Sequence, residues 1–262
     1  MKVSLLQTDI KWADAEYNIR NAASLVASSG SADVYVLPEM WSTGFATEPH
    51  KIAHDSEHNA ALLWMEQTAR DRQCAISGSL AIRLPDGTFR NRHYFVDGCS
   101  GKTVFYDKHH LFSYGQEDKY YVPGNEHVIV EYRGVRFLLL TCYDLRFPGW
   151  CRYTTGREFD AIIIVANWPD SRQSAWQVLP RARAIENQCY VIAANRVGQD
   201  LMCNYIGETA VIDPIGNVVA AANASGQEEV LTAHLDIDEL VRRRNKFNVL
   251  ADGDNFYYGC KP

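Results

Sequence analysis

At 262 residues, with 47% apolar and 22% charged side chains, the chain is long enough to bury well over half of its unfolded surface, and its composition excludes disordered, collagenous and disulfide-miniprotein classes. A net charge of −6 and a pI near 5.8 offer no basic stripe to neutralise phosphates, so nucleic acid is not an expected partner. The cysteines (74, 99, 142, 151, 189, 203 and 260) are odd in number and scattered, with no CxxC pair; they read as reduced thiols rather than a disulfide framework or a zinc site.

In chain order, short β-rich runs alternate with helical patterns. KVSLLQT (2–8) reads as a strand, AEYNIRNAASLVASSG (15–30) as a helix stopped by Gly30, and DVYVLPE (33–39) as a strand ending in Glu39. NAALLWMEQTARDRQ (59–73) is helical, and CAISGSLAIRL (74–84) and RNRHYFVDG (90–98) are strands joined by the hairpin signal PDG. KTVFYDK (102–108) ends in Lys108. Next, HVIVEYR (127–133) and VRFLLLTC (135–142) flank Gly134, and the second of them ends in Cys142. FDAIIIVAN (159–167) and QCYVIAANR (188–196) carry Asn167 and Asn195 near their ends; the helical SAWQVLPRARAIENQ between them should be kinked or started by Pro180. ETAVIDP and GNVVAAA complete the strands, and KFNVLADGDNFYYGCKP (246–262) shows no evident element.

Several of these runs are continuously apolar, as strands covered on both faces should be. Together they predict an α/β sandwich with a mixed sheet, in one domain over 1–262 with 247–262 as an extension packing on the domain or on a neighbouring subunit. No stretch approaches the roughly 18 apolar residues of a membrane span. The start, MKVSLLQTDIKW, is too brief and polar for a signal peptide, so a cytoplasmic location is expected, with no membrane partner.

In open α/β sheets ligands gather beyond the carboxyl ends of strands. Three of the ends here carry a carboxylate, an ammonium and a thiol. These supply a base, a fixed cation and a nucleophile, the equipment for acyl transfer through a covalent intermediate. Taken singly, Glu39 reads as a solvated strand end, Lys108 as a surface cation and Cys142 as core; their joint appearance at equivalent positions argues for chemistry. Lys108 and a helix start near Pro148 should favour the thiolate. His50, His54 and His58, at spacing four, read as a solvated loop or helix start rather than a metal site, and the chemistry calls for no metal or cofactor.

The motifs LPEM around Glu39, YDKHHLF around Lys108 and LLLTCYDLRFP around Cys142, with ANWP and RARAIENQ further on, resemble those of the nitrilase superfamily of carbon-nitrogen hydrolases over essentially the whole chain. The resemblance implies a four-layer αββα sandwich with mixed β-sheets. It implies a catalytic triad of Glu39, Lys108 and Cys142, a second acid at Glu117 in the long aromatic loop from His109 to about Gly124, and an oxyanion contact from the Tyr143 N–H. PEMWSTGF, CYDLRFP and ANWPDSRQSAWQVLPRARAIENQ look most like the ω-amidase branch, which hydrolyses 2-oxoglutaramate and 2-oxosuccinamate. Such substrates carry a remote carboxylate that an arginine would clamp with paired hydrogen bonds. Arg172 and Arg146 are the candidates, although Arg146 has an alternative as a structural partner of Asp144 or Glu186.

Phe45, Tyr143 and Trp168 are expected to wall the pocket. Glu208 and Thr209 depart from the neutral residue and serine of many relatives, which bears on pocket charge or substrate size. Nitrilase, N-carbamoyl amino acid hydrolase and aliphatic amidase activities share the triad. Rival readings are a Cys–His acyltransferase or peptidase using His109, His110 or His127, and a noncatalytic scaffold on a hydrolase fold. By the same resemblance a homodimer or larger homo-oligomer is expected.

Overall fold

The computed structural model describes residues 1–46, 48–223 and 226–254. Among them are fourteen strands and four α-helices: β1 (Lys2–Gln7), α1 (Ala15–Ser28), β2 (Val34–Val36), α2 (Ala60–Arg72), β3 (Ala75–Arg83), β4 (Phe89–Asp97) and β5 (Thr103–Asp107); then β6 (Ile129–Tyr132), β7 (Val135–Thr141), β8 (Ala161–Ala166), α3 (Gln173–Asn187), β9 (Tyr190–Asn195), β10 (Val197–Gln199) and β11 (Asn204–Ile206); and last β12 (Ala210–Ile212), β13 (Val218–Ala221), β14 (Glu229–His234) and α4 (Ile237–Lys246). They build two six-stranded mixed sheets, ordered β14-β1-β2-β3-β4-β5 and β13-β12-β9-β8-β7-β6, and a two-stranded β10-β11 hairpin.

The continuous apolar runs are explained by strand alternation. Val3 and Leu5 of β1 and Val34 and Val36 of β2 belong to one core cluster with Phe137, Leu139 and Ile163 of the second sheet. Their neighbours Leu6, Tyr35 and Leu37 belong to another, with Ala22 and Val26 of α1 and Leu62, Met65 and Ala69 of α2. Successive side chains point to opposite faces, so a strand lying between a helix layer and a second sheet must be apolar at every position. Trp176 and Ala184 of α3 and Leu240 of α4 extend the first cluster over the second sheet, completing the αββα layers. Each large side chain so buried contributes about 1.5–3 kcal/mol.

Both hairpin signals hold. Gly87 (φ 84°) turns β3 into β4, and Arg133 (φ 48°) and Gly134 (φ 77°) give the two left-handed positions of a type I′ turn between β6 and β7. Other local expectations fail. The first helix ends at Ser28 with Ser29 in an extended conformation, so Gly30 supplies no left-handed cap. Pro180 does not mark the start of α3, one of its two expected roles, but lies within it. It falls on the inward stripe with Trp176, Arg183, Ala184 and Asn187, where burial offsets the hydrogen bond a proline removes. Strand β14 and helix α4 were not anticipated. The first pairs in full register with β1, Lys2 opposite His234 through Gln7 opposite Glu229; the second hides a helix behind a polar surface from which only Leu240 is buried. In the expected extension, 247–254 continues from α4 as turns and bends, while 255–262, including Cys260, lies outside the described residues.

Candidate active site

Strand direction places the candidate residues. β2 runs parallel to β1 and β3, and β5 reverses twice from β3 through antiparallel β4, so β2 and β5 end at the same edge and deliver Glu39 and Lys108 there. In the second sheet β7, β8 and β9 are parallel, delivering Cys142, Asn167 and Asn195. β4 runs the other way, so its early residue Asn91 also lies at this edge, with its carbonyl accepting the Lys108 backbone N–H at 3.0 Å.

Lys108, Glu39 and Glu117 are buried together. The Lys108 ammonium donates to Glu39 Oε1 and to Glu117 Oε2, each at 2.8 Å. Asn91 Nδ2 bridges the same two carboxylates, at 2.8 Å to Glu39 Oε1 and 2.9 Å to Glu117 Oε1. The Asn167 backbone N–H donates to Glu39 Oε2 at 3.0 Å, and its Nδ2 holds the Glu39 carbonyl at 2.9 Å. Phe112 N–H donates to Glu117 Oε2 at 2.7 Å, which ties the long loop to the site. That loop is not irregular throughout: 3₁₀ turns at Ser113–Gly115 and Glu117–Lys119 aim Glu117 inward.

Electrostatics follow from burial. Burial alone would lower the Lys108 pKa, but the charges of Glu117 and Glu39 outweigh it and hold the ammonium well above its usual range. Glu117 is raised by burial, with Lys108 opposing and Glu39 adding to the rise. Burial and then the Glu39 charge push the Cys142 thiol well up, against the pull of Lys108 and the Asn167 N–H. Burial and the Glu39 charge thus oppose the thiolate that Lys108 favours.

The helix start expected near Pro148 also lies elsewhere. A 3₁₀ turn, Cys142–Arg146, begins at Cys142 itself, and residues 148–151 are turn. Cys142 sits at φ 45°; Met40 (φ 42°) directly follows Glu39, and Gln116 (φ 61°) directly precedes Glu117. A non-glycine residue held there costs on the order of 1–3 kcal/mol, and such strain clusters at sites where side-chain direction is fixed by the backbone. Buried Asp144 locks the turn, accepting from Thr141 N–H at 3.0 Å, the Tyr106 hydroxyl at 2.7 Å and the His110 N–H at 2.9 Å.

A cavity of about 540 Å³ opens over these groups, lined by Glu39, Lys108 and Cys142, with Phe45, Tyr143 and Trp168 on its walls as expected. Arg146 and Arg172 both face it. Each guanidinium lies over a ring, Arg146 over Trp168 at 4.9 Å and Arg172 over Phe112 at 5.1 Å. Neither alternative partner of Arg146 is used, since Asp144 is taken as above and Glu186 pairs with Arg183 at 3.1 Å.

Other candidates fall away from the cavity. The Glu208 carboxylate accepts from Gln173 and Gln177 on α3, and Thr209 is buried against Asn195, so neither bears on pocket charge. His109 stacks on Trp150 at 3.7 Å, His110 on Phe147 at 3.7 Å, and His127 packs on Trp150 at 3.6 Å; none lines the cavity. His50 is in a 3₁₀ turn, His54 bridges to Ile82, and His58 meets Asp55, so the three share no helix face. The residue that sequence reasoning missed is Asn91, whose only signal is an amide inside a strand that is otherwise buried.

The family model for carbon-nitrogen hydrolases matches residues 2–245. Omega-amidase YafV of Escherichia coli (strain K12) is 41% identical over 259 residues, covering 98% of each chain. The 2-oxoglutaramate amidase of Bacillus subtilis (strain 168) is 35% identical over 253 residues, covering 95% of this chain and 96% of its own. Among solved structures, XC1258 of Xanthomonas campestris, a CN-hydrolase superfamily protein with an arsenic adduct in its active site, superposes with a TM-score of 0.93 at 36% identity, covering 99% of both chains.

Proposed function

Because the chain belongs to the carbon-nitrogen hydrolase family, we propose that it hydrolyses the terminal amide of a small carboxylate-bearing substrate, 2-oxoglutaramate or 2-oxosuccinamate, to the acid and ammonia through a thioester on Cys142. The observation that carries this reading is the meeting, in one cavity, of the Cys142 thiol, Glu39, Lys108 and two guanidiniums with no ion pair among the described residues, with Glu117 bound to Lys108 behind them. The names of the relatives at 41% and 35% identity point to the same substrate class.

The protonated thiol sets the order of events. As Sγ adds to the amide carbon, Glu39 takes its proton. Lys108 spends two of its three N–H groups on the carboxylates, and the third, with the Tyr143 N–H, holds the developing oxyanion. Glu117 keeps the ammonium charged and in place. Glu39 then returns the proton to nitrogen, ammonia leaves, and a thioester remains. Water enters and adds to the thioester as Glu39 removes its proton; the C–S bond then breaks, Glu39 returns that proton to Sγ, and the acid departs. The substrate's remote carboxylate is gripped by Arg146 or Arg172. Those guanidiniums favour an acid-bearing amide over the neutral substrates of an aliphatic amidase or nitrilase.

Ammonia release from a panel of 2-oxoglutaramate, 2-oxosuccinamate, glutamine, an N-carbamoyl amino acid and an aliphatic nitrile tests the proposal. Turnover should be greatest with the two oxo-acid amides; preference for the nitrile or the carbamoyl compound would overturn it. The reading includes a cytoplasmic homo-oligomer. No helix among the described residues is long and apolar enough to cross a membrane, and a monomer in light scattering at micromolar concentration would refute the assembly.

A further inference from the structure

We infer that Asn91, aligned by Ser79, is a positioning residue that occupies Glu39 Oε1 and so leaves Oε2 as the oxygen that takes and returns the Cys142 proton. The inference rests on the proposed role of Glu39 as base and deepens it.

The orientation of Asn91 follows from a chain of obligatory donors. The Met40 backbone N–H donates to Ser79 Oγ at 2.8 Å, so the hydroxyl proton must point elsewhere, and it points to Asn91 Oδ1 at 2.9 Å. With its oxygen so used, the Asn91 side chain can turn only its amide nitrogen toward the carboxylates, and both of its N–H groups are taken there. Ser79 and Asn91 are both fully buried, so water cannot substitute. The first donor in the chain belongs to Met40, the left-handed residue next to Glu39, which couples backbone conformation to side-chain alignment.

Counting lone pairs then separates the two oxygens of the base. A carboxylate oxygen has room for about two hydrogen bonds. Glu39 Oε1 already accepts from Asn91 and from Lys108, whereas among the described residues the Asn167 N–H is the one backbone or amide donor on Oε2. Asn167 follows the end of β8, beside the end of β7 that carries Cys142, so Oε2, held by the Asn167 N–H, is the oxygen turned toward the sheet that presents the thiol. Glu117 is bound from both directions as well, with Asn91 on Oε1 and Lys108 and Phe112 on Oε2. Asn91 therefore shares its two donors between the two carboxylates. The other ionisable groups facing the pair are the Cys142 thiol and the Tyr121 phenol, whose hydroxyl donates instead to the Ala46 carbonyl at 2.9 Å; Arg146 and Arg172 stand further out on the cavity wall.

The test is the pH profile of kcat/KM for 2-oxoglutaramate, whose acid limb reports the base in the free enzyme. Removing the two N–H donors destabilises the anionic carboxylates, so in Asn91→Leu the limb should move up by about one pH unit or more. Asn91→Asp, which keeps the size but replaces a donor with a third acid, should move it further. Ser79→Ala, which frees the Asn91 amide to rotate, should move it up by less. A purely structural role would lower the plateau and leave the limb in place; that outcome in the folded variants overturns the inference, and if Asn91→Leu does not fold, an unmoved limb in Ser79→Ala does so. Absence of amide turnover by the unmodified enzyme would instead refute the proposed function, and this inference with it.

Discussion

Replacing Lys108 with methionine removes the one cation that two buried carboxylates share. The ammonium lies 2.8 Å from an oxygen of each, and none of the three side chains is exposed, so no discount for solvent screening applies. At an effective dielectric of about 20 and charge centres about 4 Å apart, each pair attracts by about 4 kcal/mol. Much of that sum is offset by desolvation and by repulsion between the acids, and breaking such a buried cluster costs about 3–5 kcal/mol net, a large part of a typical stability of roughly 5–15 kcal/mol.

The loss should depend on pH with a definite sign. Glu117 is already raised from its usual 4.5 by burial, with Lys108 opposing the rise; without Lys108 it rises further. A carboxyl whose folded pKa is raised contributes stability that is fully present below its unfolded value and lost as pH climbs through the folded one. The gap between wild type and Lys108→Met should therefore be widest near neutral pH and narrow as pH approaches 4.5. At the alkaline end the wild type loses its advantage, because Lys108, raised above 10.5, contributes stability that disappears as it deprotonates. Urea unfolding followed by tryptophan fluorescence and circular dichroism at several pH values measures the gap. A difference below about 1 kcal/mol at pH 7, the size typical of an exposed pair, or one that stays constant on acidification, would refute the reasoning. Adding Glu117→Gln to Lys108→Met should restore part of the lost stability, since a neutral amide no longer needs the cation.

Cys142→Ala should abolish ammonia release while leaving the unfolding midpoint nearly unchanged; retained turnover would remove the thioester from the mechanism. Glu39→Gln should lower kcat by roughly a hundredfold to ten-thousandfold, the usual range for a lost general acid/base. Arg146→Ala and Arg172→Ala, compared on 2-oxoglutaramate and on a neutral amide of similar length, should raise KM for the acid alone in whichever variant removes the clamp; equal effects on both substrates would assign the guanidiniums to the pocket wall. His110→Ala should cost stability of about 1–3 kcal/mol through the lost bond to buried Asp144, yet reduce turnover by less than the roughly hundredfold that a histidine base would forfeit.

The candidate positions at this edge were legible in the sequence because each closely follows an apolar run: VYVL before Glu39, VFY before Lys108 and FLLL before Cys142. Glu117 was accessible only through family resemblance, since nothing in SYGQEDKYY says which acid turns inward; the left-handed backbone at Gln116 decides that. Asn91 was hidden because β4 alternates Arg, Asn, Arg and His in a strand buried along most of its length, and one-dimensional polarity does not distinguish a satisfied buried amide from an exposed one. The electrostatic balance at the thiol was hidden for a related reason. Proximity of a cation can be guessed from motif order, but the extent to which two carboxylates have already claimed it depends on three-dimensional packing. Helix α4 was missed because a single inward residue, Leu240, gives too weak a periodic signal among arginines and acids.

The proposed site draws Glu39, Asn91 and Lys108 from one sheet and Cys142 and Asn167 from the other, so on that proposal neither half holds a working centre by itself. Turnover during refolding is then a clock for the docking of the two halves: secondary structure and intrinsic fluorescence can recover early, but enzymatic output must wait until the halves have closed on each other. A chain caught with its layers formed and not yet joined would be well structured and catalytically silent.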